Sequence, residues 1–211
     1  TSQTITGDIG NTSSLNAFNI NSGTTTVSGN VNSTNTTILS GATLNSKGNI
    51  TSDVAGAGTL ELSGSKVQTV DGNITSANTS ITSGTTLQLK DGKNIDSIIN
   101  GGGTLTLLGS SIISNEIQSL EELKINSDGS TSKFEGVVNS NKITSTGTGS
   151  TTFDKETITT NLAINNGNMT FNEDLDATNT TIGSGKLNLN NQASLNGTNI
   201  NFTNTAGELN L

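Results

Sequence analysis

Residues 56–89 read GAGTLELSGSKVQTVDGNITSANTSITSGTTLQL, and the chain restates the opening of this stretch as GGGTLTLLGS from Gly101 to Ser110. Its ending returns as GSGKLNLNN from Gly183 and as AGELNL from Ala206. Each copy sets leucines on alternate residues after a glycine turn: Leu60 and Leu62, Leu105 and Leu107, Leu187 and Leu189, Leu209 and Leu211. A period of two places these side chains on one side of an extended strand and Glu61, Thr106, Asn188 and Asn210 on the other. A strand with one buried and one wet face is predicted at every copy.

The same grammar runs through the whole chain. Ile20-NSGTTT-Val27, Ile38-LSGAT-Leu44, Ile81-TSGTT-Leu87, Ile125-NSDGSTSK-Phe134, Ile164-NNGNMT-Phe171 and Ile182-GSGK-Leu187 are each strand, glycine turn, strand. Turn glycines fall at 23, 41, 58, 84, 103, 129, 149, 167, 185 and 207, a mean spacing of about 20 residues. GNVNSTNTTILSGATL from Gly29 also aligns with GNITSANTSITSGTTL from Gly72, an offset expected to equal two coils. A period of this size means units that stack on their neighbours. Helical and leucine-rich repeats need long Ala, Leu, Glu and Lys segments, whereas Thr, Val, Ile and Asn alternate here, so the unit is a β-coil. The expectation is an all-β parallel solenoid of about ten coils over residues 1–211 as a single unit, each coil of roughly three short strands around a thin aliphatic core. Asn and Thr at equivalent turn positions are expected to bond to the copies above and below.

Composition agrees with a thin core. Of 211 residues only 28% are hydrophobic and five Phe are the only aromatics. Disorder normally brings Pro and dense charge, but Pro is absent and charged residues are 12%. The formal charge of −8, with all nine basic residues Lys, argues against nucleic acid, which needs clustered cations and aromatic stacking. No run of 18 or more apolar residues exists, so no membrane span is expected. The chain opens at Thr1 without a basic or apolar leader, as an excised or mature segment does. One segment has two readings. Ser114 to Asp128 places Ile113, Ile117, Leu120 and Lys124 at near-helical spacing, as a short helical insertion does; alternatively Ile117, Leu120, Leu123 and Ile125 are inward residues of one more coil.

The stretch at 56–89 resembles the β-strand repeat associated with bacterial autotransporter passenger domains, in which G-x-G-T-L-x-L-x-G leads to a second G-T-L-x-L strand. SQTITGDIGNTSSLNAFNINSGTTTVSGNV and VQTVDGNI are similar to repeats of large rickettsial outer-membrane autotransporters of the Sca/OmpB type; the likeness is good over residues 1–110 and weaker after it. The resemblance implies a right-handed parallel β-helix displayed on the outer face of the bacterial outer membrane by its own C-terminal barrel, which is not in this sequence. It also implies adhesion to or invasion of a host cell through a surface protein whose identity the residues do not give.

Catalysis has little to build on. Without His or Cys no Ser-His-Asp or Cys-His constellation exists, and the chain is not expected to be an enzyme. No catalytic, cofactor-binding or metal residue is assigned and no cofactor is expected. The densest acidic group, Glu173, Asp174 and Asp176, puts two carboxylates on one strand face in the manner of an oxygen-liganded cation site, but a solvated strand edge has the same pattern. GAG at 56–58, GGG at 101–103 and GTG at 147–149 open no helix, so they are turns and not phosphate cradles. Thr144, Thr146 and Thr148 form an isolated Thr-x-Thr run, where an ice-binding surface repeats its threonines on every coil. Two alternatives to adhesion stay open: a β-helix that binds or cleaves glycans, and an inert spacer.

Overall fold

The computed structural model describes residues 1–190, 193–197 and 199–211. It is all β, with no helix among the described residues, a solenoid of parallel stacked strands with about 11 turns of about 19 residues. Each turn crosses three faces in a fixed order. The first face stacks Phe18–Ile20, Asn35–Ile38 and the start of Asp53–Leu62, passes through Ile74 and Ile95, and continues with Ser111–Ile113, Thr131–Phe134, Ser150–Phe153, Asn168–Phe171, Lys186–Leu189 and Glu208–Asn210. The second face stacks Ser2–Ile5, Gly23–Val27, Ala42–Ser46, the end of Asp53–Leu62, residues 78–81, Ile98–Asn100 and Ile117. It then uses the first halves of Val138–Ser145, Thr157–Ile164 and Leu175–Ile182, ending at Leu195–Asn196. The third face begins as single bridges at Ile9, Val31 and Ile50 and widens into Val67–Val70, Thr86–Leu89, Thr104–Leu107 and Glu122–Ile125. The second halves of the three long strands and Asn199–Phe202 complete it.

Alternation fills the interior as the sequence predicts. Leu60, Leu62, Leu87, Leu89, Leu105, Leu107 and Leu123 are fully enclosed; Leu87, Leu105 and Leu123 stack on one another on successive turns, and Leu60 stacks on Leu44. Stacking identical faces at the strand spacing of about 4.8 Å lets a small number of aliphatic side chains form one unbroken core. On the first face, Phe134, Phe153 and Phe171 occupy one inward row, with ring centroids 4.7 and 4.6 Å apart and rings within 8° of parallel. Thr106, predicted to face outward, does so between Gln88 and Lys124, yet these stacked neighbours leave it only 8% exposed. Leu211 departs from the inward expectation: it follows the Glu208–Asn210 strand and is 88% exposed, while Leu209 is half-buried against the core.

The 43-residue echo is not two turns. Val31 lies on the third face, but its counterpart Ile74 lies on the first, so the echo spans two turns plus one face. The GAGTLELSG motif moves the same way: Leu60 packs on the second face beside Leu44, and its copy Leu105 packs on the third beside Leu87. The motif is a corner and can be fitted to any of the three. Gly56 and Gly101 have φ of +113° and +110°, where only glycine is relaxed. A Cβ on Gly58 or Gly103 would stand 2.4 Å from Cγ2 of Ile38 or Ile81, so both corners close on an isoleucine one turn back. The turn glycines thus occupy the first-to-second corner at 23, 41 and 58, the second-to-third at 84 and 103, and the third-to-first from 129 onward. Two such slips lengthen their mean spacing beyond the true turn.

Residues 114–128 form no helix. Ile117 bridges Ile99 and Val138, Glu122–Ile125 pairs with the strands on both sides, and Ile117, Leu120, Leu123 and Ile125 are buried. The segment is one more coil, because parallel partners above and below satisfy its backbone and burial of alternate residues outweighs a weak helical spacing.

Candidate binding faces and corner ladders

The corners are held by side chains that reach from one turn to the next. At the second-to-third corner the side-chain oxygen of Asp8 accepts from Asn30 N (2.6 Å), that of Asn30 from Asn49 N (2.9 Å) and that of Asn49 from Thr69 N (2.9 Å). The third-to-first corner repeats this through Asp53, Asn73, Asn94 and Ile112 N. The recurring Gly-Asn-Val and Gly-Asn-Ile triplets are the sequence signature of these ladders. Carboxamides also stack directly: Asn179 Nδ2 donates to Asn161 Oδ1 (3.1 Å), and Asn190 Nδ2 to Asn172 Oδ1 (2.9 Å). Each ladder satisfies a backbone or side-chain group that a corner leaves outside the sheets.

Several inward polar groups are paired as well, whereas the buried Ser111 and Thr180 hydroxyls have no hydrogen-bond partner. Gln68 is fully buried where the third face widens from a bridge to a strand; its Nε2 donates to Ser46 O (3.1 Å) and Gly48 O (2.7 Å), and its Oε1 accepts from Gly64 N (2.9 Å). The pairing replaces the strand partner that the turn below lacks. Ser33, Thr36 and Ser52 form a buried hydroxyl cluster with separations of 2.7 to 3.2 Å. None of these groups stands out in the sequence, since an inward Gln or Ser is recognisable only once the register is known.

Acidic residues gather along the first-to-second corner on five successive turns: Asp96, Glu116, Glu135, Asp154 with Glu156, and Glu173 with Asp174. Lys133 bridges Glu135 (3.0 Å) and Asp154 (2.8 Å), and Lys155 reaches Glu173 (2.8 Å). The Lys133 bond holds the Asp154 carboxyl below its ordinary value, and the Ser194 hydroxyl and amide do the same for Asp174. Of the acidic group noted in sequence, Asp174 and Asp176 flank Leu175 and both are exposed, as alternation predicts. They do not converge: Asp174 turns to Ser194 one turn on (2.8 and 3.0 Å), and Asp176 lies beside Ile158 on the second face. Among the described residues no group of three or more acidic side chains is arranged to hold a metal ion. On the third face Glu122 receives Lys142 (3.0 Å), Lys124 (3.2 Å) and the Thr144 hydroxyl (3.1 Å). Burial acts to raise its pKa, and these three partners outweigh burial and lower it.

Open depressions interrupt the outer surface. One, of about 380 Å³, lies over three turns of the second face among Asn139, Asn141, Ile158, Thr160 and Asp176. Another, about 290 Å³, runs along the Asp8, Asn30 and Asn49 ladder. Thr144 lies in the strand that ends at Ser145, and Thr148 lies in the corner beyond it, tied to Asp128, so the Thr-x-Thr run does not share one strand face. A row that sequence reasoning missed does exist: Thr24, Thr43 and Thr59 are neighbours on three successive turns of the second face. Unequal corner lengths hid it, and its companion row passes from Thr26 to Asn45 and Glu61. The chain matches no family model, no curated protein and no solved structure.

Proposed function

We propose that this chain is a segment of a surface-displayed bacterial autotransporter passenger, a polar rod that carries extended faces toward a host cell and contacts a protein there. The observation that supports this reading is the stack itself: about 11 turns of parallel strands, on which outward residues of one turn stand over those of the next wherever the strands pair, as Thr152 stands between Lys133 and Thr170. Such a surface spreads many weak polar contacts along its length, and its depressions are open. Affinity of this kind rises with the number of copies engaged together. The net charge of −8 favours basic partners and makes attachment weaker at high salt.

The test is adhesion of beads densely coated with the fragment to host cells, compared with beads carrying an inert acidic protein. Adhesion above that control, falling as salt rises and as coating density drops, is the expected result. Equal adhesion removes the binding function and leaves a spacer. A glycan-binding reading has one specific observation in its favour, the hydroxyl, carboxamide and carboxylate groups lining the depression between Asn139 and Asp176. Saturable binding to a glycan array, abolished by changes at Asn139 and Asp176, distinguishes it from protein-mediated adhesion.

A further inference from the structure

The chain contains three Asn-Gly pairs, Asn100–Gly101, Asn166–Gly167 and Asn196–Gly197, and the fold treats one of them differently. At the third-to-first corner, the backbone amides on either side of the pair are tied to the turn below, Asn165 N to Ser145 O (3.0 Å) and Asn168 N to Gly149 O (2.9 Å). Gly167 N–H instead turns back onto the Oδ1 of Asn166, at 3.0 Å, with Gly167 at a φ of +74°. The amide nitrogen therefore lies against the side-chain carbonyl of the preceding residue, and its hydrogen bond polarises that carbonyl. Reaction of this nitrogen breaks no bond between turns.

The side chains and amides of the other two pairs have different partners. Asn100 ends the Ile98–Asn100 strand opposite Ser80, and the following Gly101 N donates to Ser119 Oγ (3.3 Å). Asn196 is paired with Asp176 in a strand, and its Nδ2 donates to Ser194 Oγ (3.4 Å).

We propose that Asn166 is a self-modification site, at which the protein's own backbone converts the carboxamide to a carboxylate. The Gly167 nitrogen, after losing its proton to solvent base, attacks Cγ of Asn166. A new N–Cγ bond forms, the Cγ–Nδ2 bond breaks, and the nitrogen leaves as ammonia with a proton from solvent. Water then opens the resulting five-membered imide at either carbonyl, giving aspartate or isoaspartate at position 166. Both products add a negative charge to the corner, and isoaspartate also lengthens the backbone by one methylene. The added methylene displaces the corner from the turn beneath it, on which Gly167 is closely packed and where Asn166 O accepts from Ser145 Oγ (2.9 Å). The isoaspartate form thus loosens the contact between this turn and the one beneath it.

The experiment incubates the folded protein and a urea-unfolded sample at mildly alkaline pH and follows each Asn-Gly peptide by mass and by chromatographic separation of aspartate from isoaspartate. In the folded protein, Asn166 is expected to convert several-fold faster than Asn100 and Asn196, and in urea the three rates are expected to converge. Equal rates in the folded protein, or the same ordering in urea, overturns the proposal, because the folded corner then confers nothing. Asn166→Gln, checked for retained strand content by circular dichroism, is expected to remove the mass gain from its peptide; a gain that persists assigns the reaction to Asn165 or Asn168 and overturns the site.

Discussion

At the scale of single residues, what matters is which side of a strand a side chain takes and what it meets one turn away. Leu105 points inward between Leu87 and Leu123, while the adjacent Thr106 points outward between Gln88 and Lys124. Leu105→Asp places an unpaired carboxylate in the core and is expected to cost several kcal/mol, about 3 or more. Thr106→Asp gains a neighbouring lysine and should shift the denaturation midpoint little, despite the low exposure of Thr106; equal midpoints for the two variants would contradict the face assignment. Glu122 gives a prediction in pH. Its pKa is lowered in the fold, so its contribution to stability is present above the ordinary glutamate value of about 4.3 and is lost as pH falls through the lower folded value. Glu122→Gln should therefore be less stable than the parent at neutral pH, with the gap closing in acid; a gap constant across a urea-denaturation pH series would mean that the two lysines do not act on this carboxylate.

At the scale of elements, a strand is stable because it has a similar strand on each side and a corner that suits any face. The three stacked phenylalanines are the largest side chains in the core, and Phe153 is enclosed between the other two. Phe153→Ala opens a hole that leaves Phe134 and Phe171 each without a stacked ring, and is expected to cost about 3–5 kcal/mol in chemical denaturation, with Phe153→Leu well below that. A change under about 1 kcal/mol would mean that the row does not carry the core there. The strands, their inward leucines and the stacking of Asn and Thr at corners were legible in the sequence because period-two alternation and glycine turns are local signals. The spacing of the turn glycines overstates the coil length for a reason equally physical: Gly41, Gly84 and Gly129 sit on three different corners, so counting glycines counts a turn plus a share of a face. Sequence alignment detects the corner's chemistry and not its position around the axis. The same blindness hid the buried Gln68 and the row of Thr24, Thr43 and Thr59, which become neighbours only through a register set by corners of unequal length. The carboxylates at 173, 174 and 176 were visible as a group, but their separate partners on the turns above and below were not.

At the scale of the whole molecule, contacts run only between adjacent turns, and stability is a sum of similar interfaces. About 11 turns at the strand spacing give a rod of roughly 50 Å. Small-angle scattering should give an elongated particle, and a radius of gyration near that of a compact globule of this length, about 17 Å, would contradict the stack. The stack also sets where it opens first. Ser2–Ile5 and Asn199–Phe202 are almost entirely exposed, whereas the inward residues of Thr104–Leu107 and Glu122–Ile125 are buried between turns on both sides. In the isolated segment of residues 1–211, local opening of an end turn breaks one interface, and opening of a central turn breaks two. Amide hydrogen exchange followed by mass spectrometry should thus show protection rising from Gln3 and Thr4 to a plateau around Leu105 and Leu123, and falling again toward Ile200. Leu105→Asp should collapse that plateau into two shorter protected blocks on either side of the substitution. Uniform exchange along the chain, or disappearance of all protection at once in the variant, would mean that the solenoid unfolds as a single unit and that its turns are coupled far beyond their nearest neighbours.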